Sequence, residues 1–489
     1  RDLHSFPTRR SSDLWQSREL DFDTLHDIWT FWNPVSGRTM FKNIHEVLPA
    51  HIMTLEPGGE ITGNTRYWQL DFTQQHWTES DALETFTELF DDAVKIRLKA
   101  DVPVASYLSG GLDSSMIGAF ANRYGSELHT FSITFQHADY DESLEQLQVA
   151  RHLGTIHHVS HCTAEDLSTV LPKMVWHTES PQLRAGPVSM IPLASSVNAF
   201  GLKGVLTGEG ADEFFMGYDI FKETVVRRFM ARNPDSIMRR SLVRRLYAYL
   251  PDREQYRGFE LALQEGLEET DDLFFSHLFR WRNTARLQGY FQPELRETMN
   301  RRPFAERLAH LLPSGFRKWN LPSRAQALEI ITFMTPYLLS SQGDRVAMAS
   351  GIETRFPFLD HRIVEFANTL PQSLKLRSLR QDKYLVRKAA ETHLPVTTAK
   401  RAKFPYRAPI QDMFRSKAFE QFRDILSERN IRETGIFVPR AVTKLLDKAS
   451  TENMNSEMEQ MALMGIVTTQ LWHHLFLKGD LFPENQINT

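Results

Sequence analysis

The stretch that most restricts what this chain can fold into is the apolar run Val102–Leu108. It ends at Ser109-Gly110-Gly111-Leu112-Asp113-Ser114-Ser115 and passes into a helical pattern from about Asp113 to Tyr124. A strand that is apolar throughout, then a glycine turn, then a helix, belongs to a parallel sheet covered on both faces. The same alternation continues downstream. Strands are expected at Leu128–Phe135, Ile156–Val159 and Gly204–Leu206, and helices at Glu142–Leu153, Ala164–Trp176 and Met190–Phe200. The expected fold class is therefore α/β, a doubly wound parallel sheet. Ligands of such sheets bind beyond the carboxyl ends of the strands. Two loops lie there: Ser109–Gly111, and the one that opens with Thr207-Gly208-Glu209-Gly210.

The first loop suits a phosphate chain. Two glycines let the backbone approach an anion closely, and a helix start offers free N–H groups and a positive dipole end. Ser109, Ser114 and Ser115 add hydroxyl donors, and Asp113 can hold a magnesium ion through oxygen. The heptad lacks the Lys-Ser/Thr pair with which a Walker loop grips the outer phosphates.

Before this region, Thr78–Lys99 has helical spacing (Leu83, Phe86, Leu89, Phe90, Ala93, Ile96), with Ser80 as its expected cap. Trp15 to about Phe72 is punctuated by Asn33-Pro34, Ser36-Gly37 and Pro57-Gly58-Gly59, and predicts short strands and turns. From about Phe221 onward the chain reads as mostly helical, and its Arg pairs (Arg227-Arg228, Arg239-Arg240, Arg244-Arg245) read as solvated helix faces. Arg1–Leu14 has no helix or strand period and no apolar core after its charged start, so it is not a signal peptide. Its run Ser5–Leu14 is similar to a translated sequencing adapter, and residues 1–14 are set aside as a non-native leader.

Composition removes several classes. With 489 residues and 41% apolar content the chain is not wholly disordered. A balance of 57 basic against 61 acidic residues, net −4, offers no general polyanion surface, so no nucleic-acid partner is expected. No apolar run approaches the roughly 18 residues of a membrane span, so no membrane partner is expected either. The single cysteine, Cys162, makes neither an intrachain disulfide nor a zinc site. It reads as structural, and the setting as reducing and cytoplasmic. His157, His158 and His161 show no metal-ligand spacing.

The heptad at Ser109 resembles the pyrophosphate loop of the ATP-pyrophosphatase families. Two further motifs narrow the resemblance. Thr207-Gly208-Glu209-Gly210-Ala211-Asp212-Glu213 with Gly217-Tyr218 is one. The other is Gly343-Asp344-Arg345-Val346-Ala347-Met348-Ala349, running through Glu353 and Arg355 to Phe356-Pro357-Phe358-Leu359-Asp360. Together they resemble the asparagine synthetase family, glutamine-hydrolysing type, over residues from about 20 to about 410. The resemblance implies ATP-dependent amidation of aspartate through a β-aspartyl-AMP intermediate, with release of AMP and pyrophosphate. It implies ATP and Mg2+, with Asp113 and Asp212 on the metal. Leu108, Ser109, Gly110, Gly111, Asp113, Ser114, Ser115, Ile133, Thr207 and Gly208 would bind the nucleotide. Glu209 would handle the proton of the incoming amine, and Lys403 would stabilise charge at phosphorus. Lys383 and Arg387 match basic family positions to which no role is assigned.

By the same resemblance, residues 15–75 are the remnant of a class II glutamine amidotransferase domain and 76–480 the synthetase domain, with nitrogen taken from glutamine in the intact protein. The amidotransferase nucleophile, an N-terminal cysteine, has no counterpart here, because the chain opens with Arg1. The partners are small molecules (ATP, aspartate or another carboxylic acid, glutamine or ammonia), with room for a homodimer. A second departure is Lys403-Phe404-Pro405-Tyr406-Arg407-Ala408-Pro409, which looks more like relatives found beside natural-product or surface-polysaccharide pathways. It leaves open an acceptor acid other than aspartate. The stretch between Tyr140 and Tyr218 holds no tyrosine, which counts against the ring closure of β-lactam synthetases.

Overall fold

The computed structural model describes residues 18–35, 37–125, 127–137, 140–247, 253–299, 303–402, 408–451, 454 and 456–479. The N-terminal segment opens with a helix rather than with strands. In α1 (Phe22–Phe31) the carboxylate of Asp21 accepts from the N–H of Thr24 at 2.8 Å. The helix closes at Trp32 in the left-handed region, φ 74°. The turn residues that suggested strands all lie after it. Leu25, Ile28 and Trp29 on α1 are fully buried. Trp29 packs on Phe291 and Phe437, with ring centroids 4.9 and 5.5 Å away. It also lies against the helix Glu457–His473 at Gly465. A hairpin of β1 (His51–Leu55) and β2 (Ile61–Arg66) follows.

Helix α2 (Glu79–Arg97) lies within the expected Thr78–Lys99, but its cap is two residues before the expected one. Its cap is Thr78, whose hydroxyl accepts from Asp81 N at 3.1 Å, and not Ser80. The choice is sensible, because a cap at 78 puts Glu79 and Asp81 in the first turn, where carboxylates favour the dipole.

The alternating region folds as expected. It comprises β3 (Val104–Tyr107), α3 (Leu112–Ala121), β4 (His129–Phe135), α4 (Ser143–Leu153), β5 (Ile156–Cys162), α5 (Ala164–Thr178), α6 (Gly186–Ala199) and β6 (Gly204–Leu206). β5 runs three residues further than the pattern suggested, because its polar positions bond across to β4. His157 Nδ1 and Nε2 meet the Thr130 and Ser132 hydroxyls, His158 meets His129, and His161 meets Thr134. All three histidines are thus satisfied within the sheet. Cys162 is a buried free thiol, pushed up to about 12 by burial and then by Asp166, as befits a structural residue.

A fifth strand was not anticipated. β7 (Glu353–Arg355) lies in the region read as helical and pairs in parallel with β6, Leu206 opposite Arg355. The sheet order is β5-β4-β3-β6-β7, all parallel. Alternate residues supply two cores. Ala105, Tyr107, Phe131 and Val205 join α5, α6 and the C-terminal helices on one face. Leu206 joins α2, α3 and the residues after 270 on the other. The chain leaves β3 toward β4 and later returns to its opposite side as β6, so the order reverses between β3 and β6. That gap at the carboxyl edge is where a doubly wound sheet can accept a ligand. The rest of the chain is mainly helical, as expected.

The seating of α1 generates a prediction. A Cβ at Gly465 would lie 2.7 Å from the Trp29 ring. Gly465→Ala gains about 1 kcal/mol of helix propensity but should lose about 1–3 kcal/mol to overpacking. Chemical denaturation should therefore show net destabilisation that is smaller when Trp29 is shortened to Leu.

Candidate active site

The two loops that end β3 and β6 meet at the reversal. After β3 the chain turns at Gly110, φ +73°, and a Cβ there would lie 2.8 Å from the backbone of Glu145 and Gln146 on α4. Only glycine satisfies both conditions. Gly111 then begins α3 with no side-chain cap, leaving its first N–H groups free for a ligand. The loop is braced internally. Ser109 N–H donates to Ser114 Oγ at 3.1 Å, the two hydroxyls are 3.0 Å apart, and Gly111 N–H donates to Ser109 Oγ at 3.3 Å. From the β6 side, Gly208 approaches so closely that a Cβ would sit 3.2 Å from Asp113 Cβ. Thr207 N–H donates to Arg355 O at 3.0 Å, and its hydroxyl donates to Glu209 Oε2.

This approach brings the two aspartates together. Asp113 lies in the first turn of α3, and Asp212 lies in the short helix α7 (Ala211–Phe215). Lys383, only 2% exposed, sits between them. Its Nζ is 2.8 and 2.7 Å from the Asp113 oxygens and 2.8 Å from Asp212 Oδ1. Two carboxylates at such separation need a cation, and the ammonium marks where positive charge collects. Glu213, next in sequence, is pushed up to about 8 by burial first and by Asp212 second, against the hydrogen bond from Tyr218. It is protonated at neutral pH and its Oε2 accepts from Gly210 N at 3.0 Å.

These groups open into a cavity of about 1030 Å3. Leu108, Ser109, Gly111, Asp113, Ser114, Ile133, Thr207, Gly208, Glu209 and Asp212 all line it. Two expected residues do not. Gly110 is turned against α4, and Ser115 is fully buried, with its hydroxyl enclosed in the protein. Leu108 and Ile133, 1% and 7% exposed, serve the core as well as the cavity wall. Lys403 lies outside the described residues, as do Phe404–Arg407 of the departing motif. Residues 399–401 are anchored from two sides. Arg387, paired with Asp382 at 2.5 Å, donates to the carbonyls of Ala399 and Arg401 at 3.0 and 2.8 Å. Arg401 donates to Gly110 O at 3.3 Å and pairs with Glu142 at 3.1 Å.

The far wall was not foreseen from sequence. Trp32, just after α1, has the guanidinium carbons of Arg184 and Arg280 at 4.8 and 5.0 Å from its ring. Arg280 forms a two-pronged pair with Glu329, which also accepts from His277 Nε2 at 2.8 Å. Burial works to raise Glu329, but Arg280 and then His277 overcome it and hold the carboxyl at about 2. His277, pulled down to about 4 mainly by burial, is neutral, so its Nε2 carries the proton and Nδ1 accepts from Ser276. Phe333 and Tyr337 on the π-helix Ile330–Asp344 complete this wall.

The asparagine synthase family model matches residues 85–474. The chain belongs to the asparagine synthase family. Among its relatives is "Asparagine synthetase [glutamine-hydrolyzing] 1" of Bacillus subtilis, 26% identical over 95% of this chain and 71% of the relative. "Amidase chyE" of Penicillium rubens is 28% identical over 86% of this chain and 66% of the relative. "Amidase chry2" of Gibberella zeae is 27% identical, with 89% and 68% covered. The chain thus spans about two thirds of the length of these relatives. The parallel sheet and helical C-terminal part are those expected of an asparagine synthase domain of the ATP-pyrophosphatase type.

In this asparagine synthase-family chain the Glu329 cluster makes stability acid-sensitive. Its folded value, about 2, lies below the ordinary 4.5, so its contribution is complete above about 4.5 and is lost as pH falls toward 2. Glu329→Gln should flatten that part of the unfolding free-energy curve. At neutral pH it should cost about 3–5 kcal/mol, because Arg280 loses its partner.

Proposed function

We propose that this chain carries the synthetase chemistry of an amide-forming ligase. It activates a carboxylic acid with ATP and passes the acyl group to ammonia. The observation that carries the proposal is the convergence of Asp113, Asp212 and Lys383 at the free N-terminus of α3, in the same cavity as Glu209. In this reading the diphosphate end of ATP lies on Ser109–Ser114 and faces Lys383, while the adenine lies toward Leu108 and Ile133.

The two aspartates fit a divalent ion brought in by the nucleotide. They supply hard oxygen donors around a point already held by a cation. No group of three or more metal-ligating side chains exists among the described residues, which suits an ion that keeps water and phosphate ligands. Magnesium held by Asp113 and Asp212 would neutralise the outer phosphates and improve pyrophosphate as a leaving group. The chain's own residues then do the following. The acceptor carboxylate oxygen attacks the α-phosphorus as the bond to the bridging oxygen breaks, and Lys383 with the α3 N–H groups stabilises the departing charge. Ammonia attacks the acyl carbon, Glu209 takes the surplus proton, and AMP leaves with the former carboxylate oxygen. Lys403, which follows the segment anchored by Arg387 and Arg401, would add charge at the α-phosphate. In the intact protein the nitrogen comes from glutamine.

The first acceptor to test is aspartate, giving asparagine. A different acid is the second reading, favoured by the two relatives whose names call them amidases. No helix among the described residues is long and apolar enough to cross a membrane, and a cytoplasmic setting is proposed with the rest.

Incubation with ATP, magnesium, aspartate and an ammonium salt should yield AMP, pyrophosphate and asparagine in equal amounts. Formation of ADP would refute the scheme, and a panel of acids in the same assay identifies the acceptor. Asp113→Asn should lower pyrophosphate release by at least about 100-fold. Glu209→Gln should behave differently. Acid-dependent exchange of labelled pyrophosphate into ATP should persist, while amide formation falls by about 10²–10⁴.

A further inference from the structure

Lys375 is a buried lysine for which the chemistry above has no use. It is 2% exposed, lies in the short helix Gln372–Lys375, and does not line the cavity. Its Nζ donates to Gln326 Oε1 at 3.1 Å and stands 5.5 Å from the Phe72 ring. Burial alone brings the amine down to about 7. A buried ammonium without a carboxylate is costly, so its retention asks for a reason.

Gln326 supplies one. It is fully buried, and its Nε2 donates to the carbonyls of Glu213 and Phe214 at 2.8 and 2.9 Å. These are end carbonyls of α7, a helix too short to satisfy them internally. The preceding carbonyl, of Asp212, is met by the N–H groups of Met216 and Gly217. A carboxamide has one acceptor end and one donor end. With the amine on the oxygen, both N–H bonds of Gln326 face α7. Were the amide reversed, its oxygen would meet two carbonyl oxygens. The α7 carbonyls select the orientation, Lys375 reinforces it by donating to the oxygen end, and α7 is the element that carries Asp212.

We propose that Lys375 is a positioning residue for the diphosphate end of the site, acting through the Gln326 amide to fix α7 and with it the Asp212 carboxylate. The inference rests on the reading that Asp212 faces a nucleotide-borne divalent ion.

The test compares Lys375→Met, Lys375→Gln, Gln326→Met and the Met/Met double variant in the full chain. Methionine fills the space without a donor, so Lys375→Met should be at least as stable to heat as the parent. Its magnesium concentration for half-maximal pyrophosphate release should rise five- to tenfold, with the acceptor KM within twofold of the parent. Gln326→Met should show the same shift, and the double variant, which buries no unpaired charge, should be no worse than the worse single one. Lys375→Gln, which restores a donor toward Gln326, should recover most of the loss. Hydrogen exchange of amides 211–217 gives a readout free of activity. It should quicken about tenfold in Lys375→Met and recover in Lys375→Gln. Unchanged exchange and magnesium dependence in Lys375→Met would overturn the proposal, and so would additive effects in the double variant. If the parent releases no pyrophosphate with any acid, the functional reading fails, and the exchange data still decide whether Lys375 fixes α7.

Discussion

Two carboxylates that approach from different strands cannot share a few ångströms of buried space without a cation between them, and much of this structure serves that requirement. Asp113 comes from the turn after β3 and Asp212 from the turn after β6. Gly208 removes the side chain that would hold the turns apart. Lys383 enters from the far C-terminal part of the chain and sits within 2.8 Å of both. Its own backbone is in the left-handed region, φ 45°, a conformation that a non-glycine residue adopts at a cost. The neighbouring carboxyl, Glu213, avoids adding a third negative charge by staying protonated.

Around this centre the elements divide the work. The sheet places both turns at the point where its strand order reverses. Asp382, beside Lys383, binds Lys222 and Arg387 at 2.7 and 2.5 Å, and Arg387 leads residues 399–401 back toward Gly110. Opposite, Trp32 brings the N-terminal segment into the cavity wall, with Arg184 and Arg280 against its ring. The end proposed for the nucleotide is thus made of backbone and charge, while the other end is aromatic and ionic.

The sequence is informative where function and fold use consecutive residues. The strand, turn and helix at Val102–Tyr124 need only local spacing, and so does Thr207–Glu213, so both loops and both aspartates were legible. The third motif was legible as a pattern but not as a structure. Glu353–Arg355 is polar and three residues long, and becomes a strand only because β6 offers a free edge. Arg345 bonds Thr178 O and pairs with Glu46 and Glu179, and Arg355 bonds Arg97 O and pairs with Glu353, so both brace the scaffold rather than line the cavity. The α1 helix was hidden by the turn residues that follow it. What no local pattern could give was contact across the chain. Lys383 is 270 positions from Asp113 and Glu329 is 52 from His277, and their signals are single residues in helical stretches.

The central claim is that the acceptor's carboxyl oxygen ends on AMP. The most direct measurement uses an acceptor acid labelled with heavy oxygen in both carboxylate positions, incubated with ATP, magnesium and ammonia, with the nucleotide product analysed by mass. The account predicts one labelled oxygen in each AMP and none in the pyrophosphate. Label in inorganic phosphate with ADP as the nucleotide product, or AMP formed without label, would contradict it.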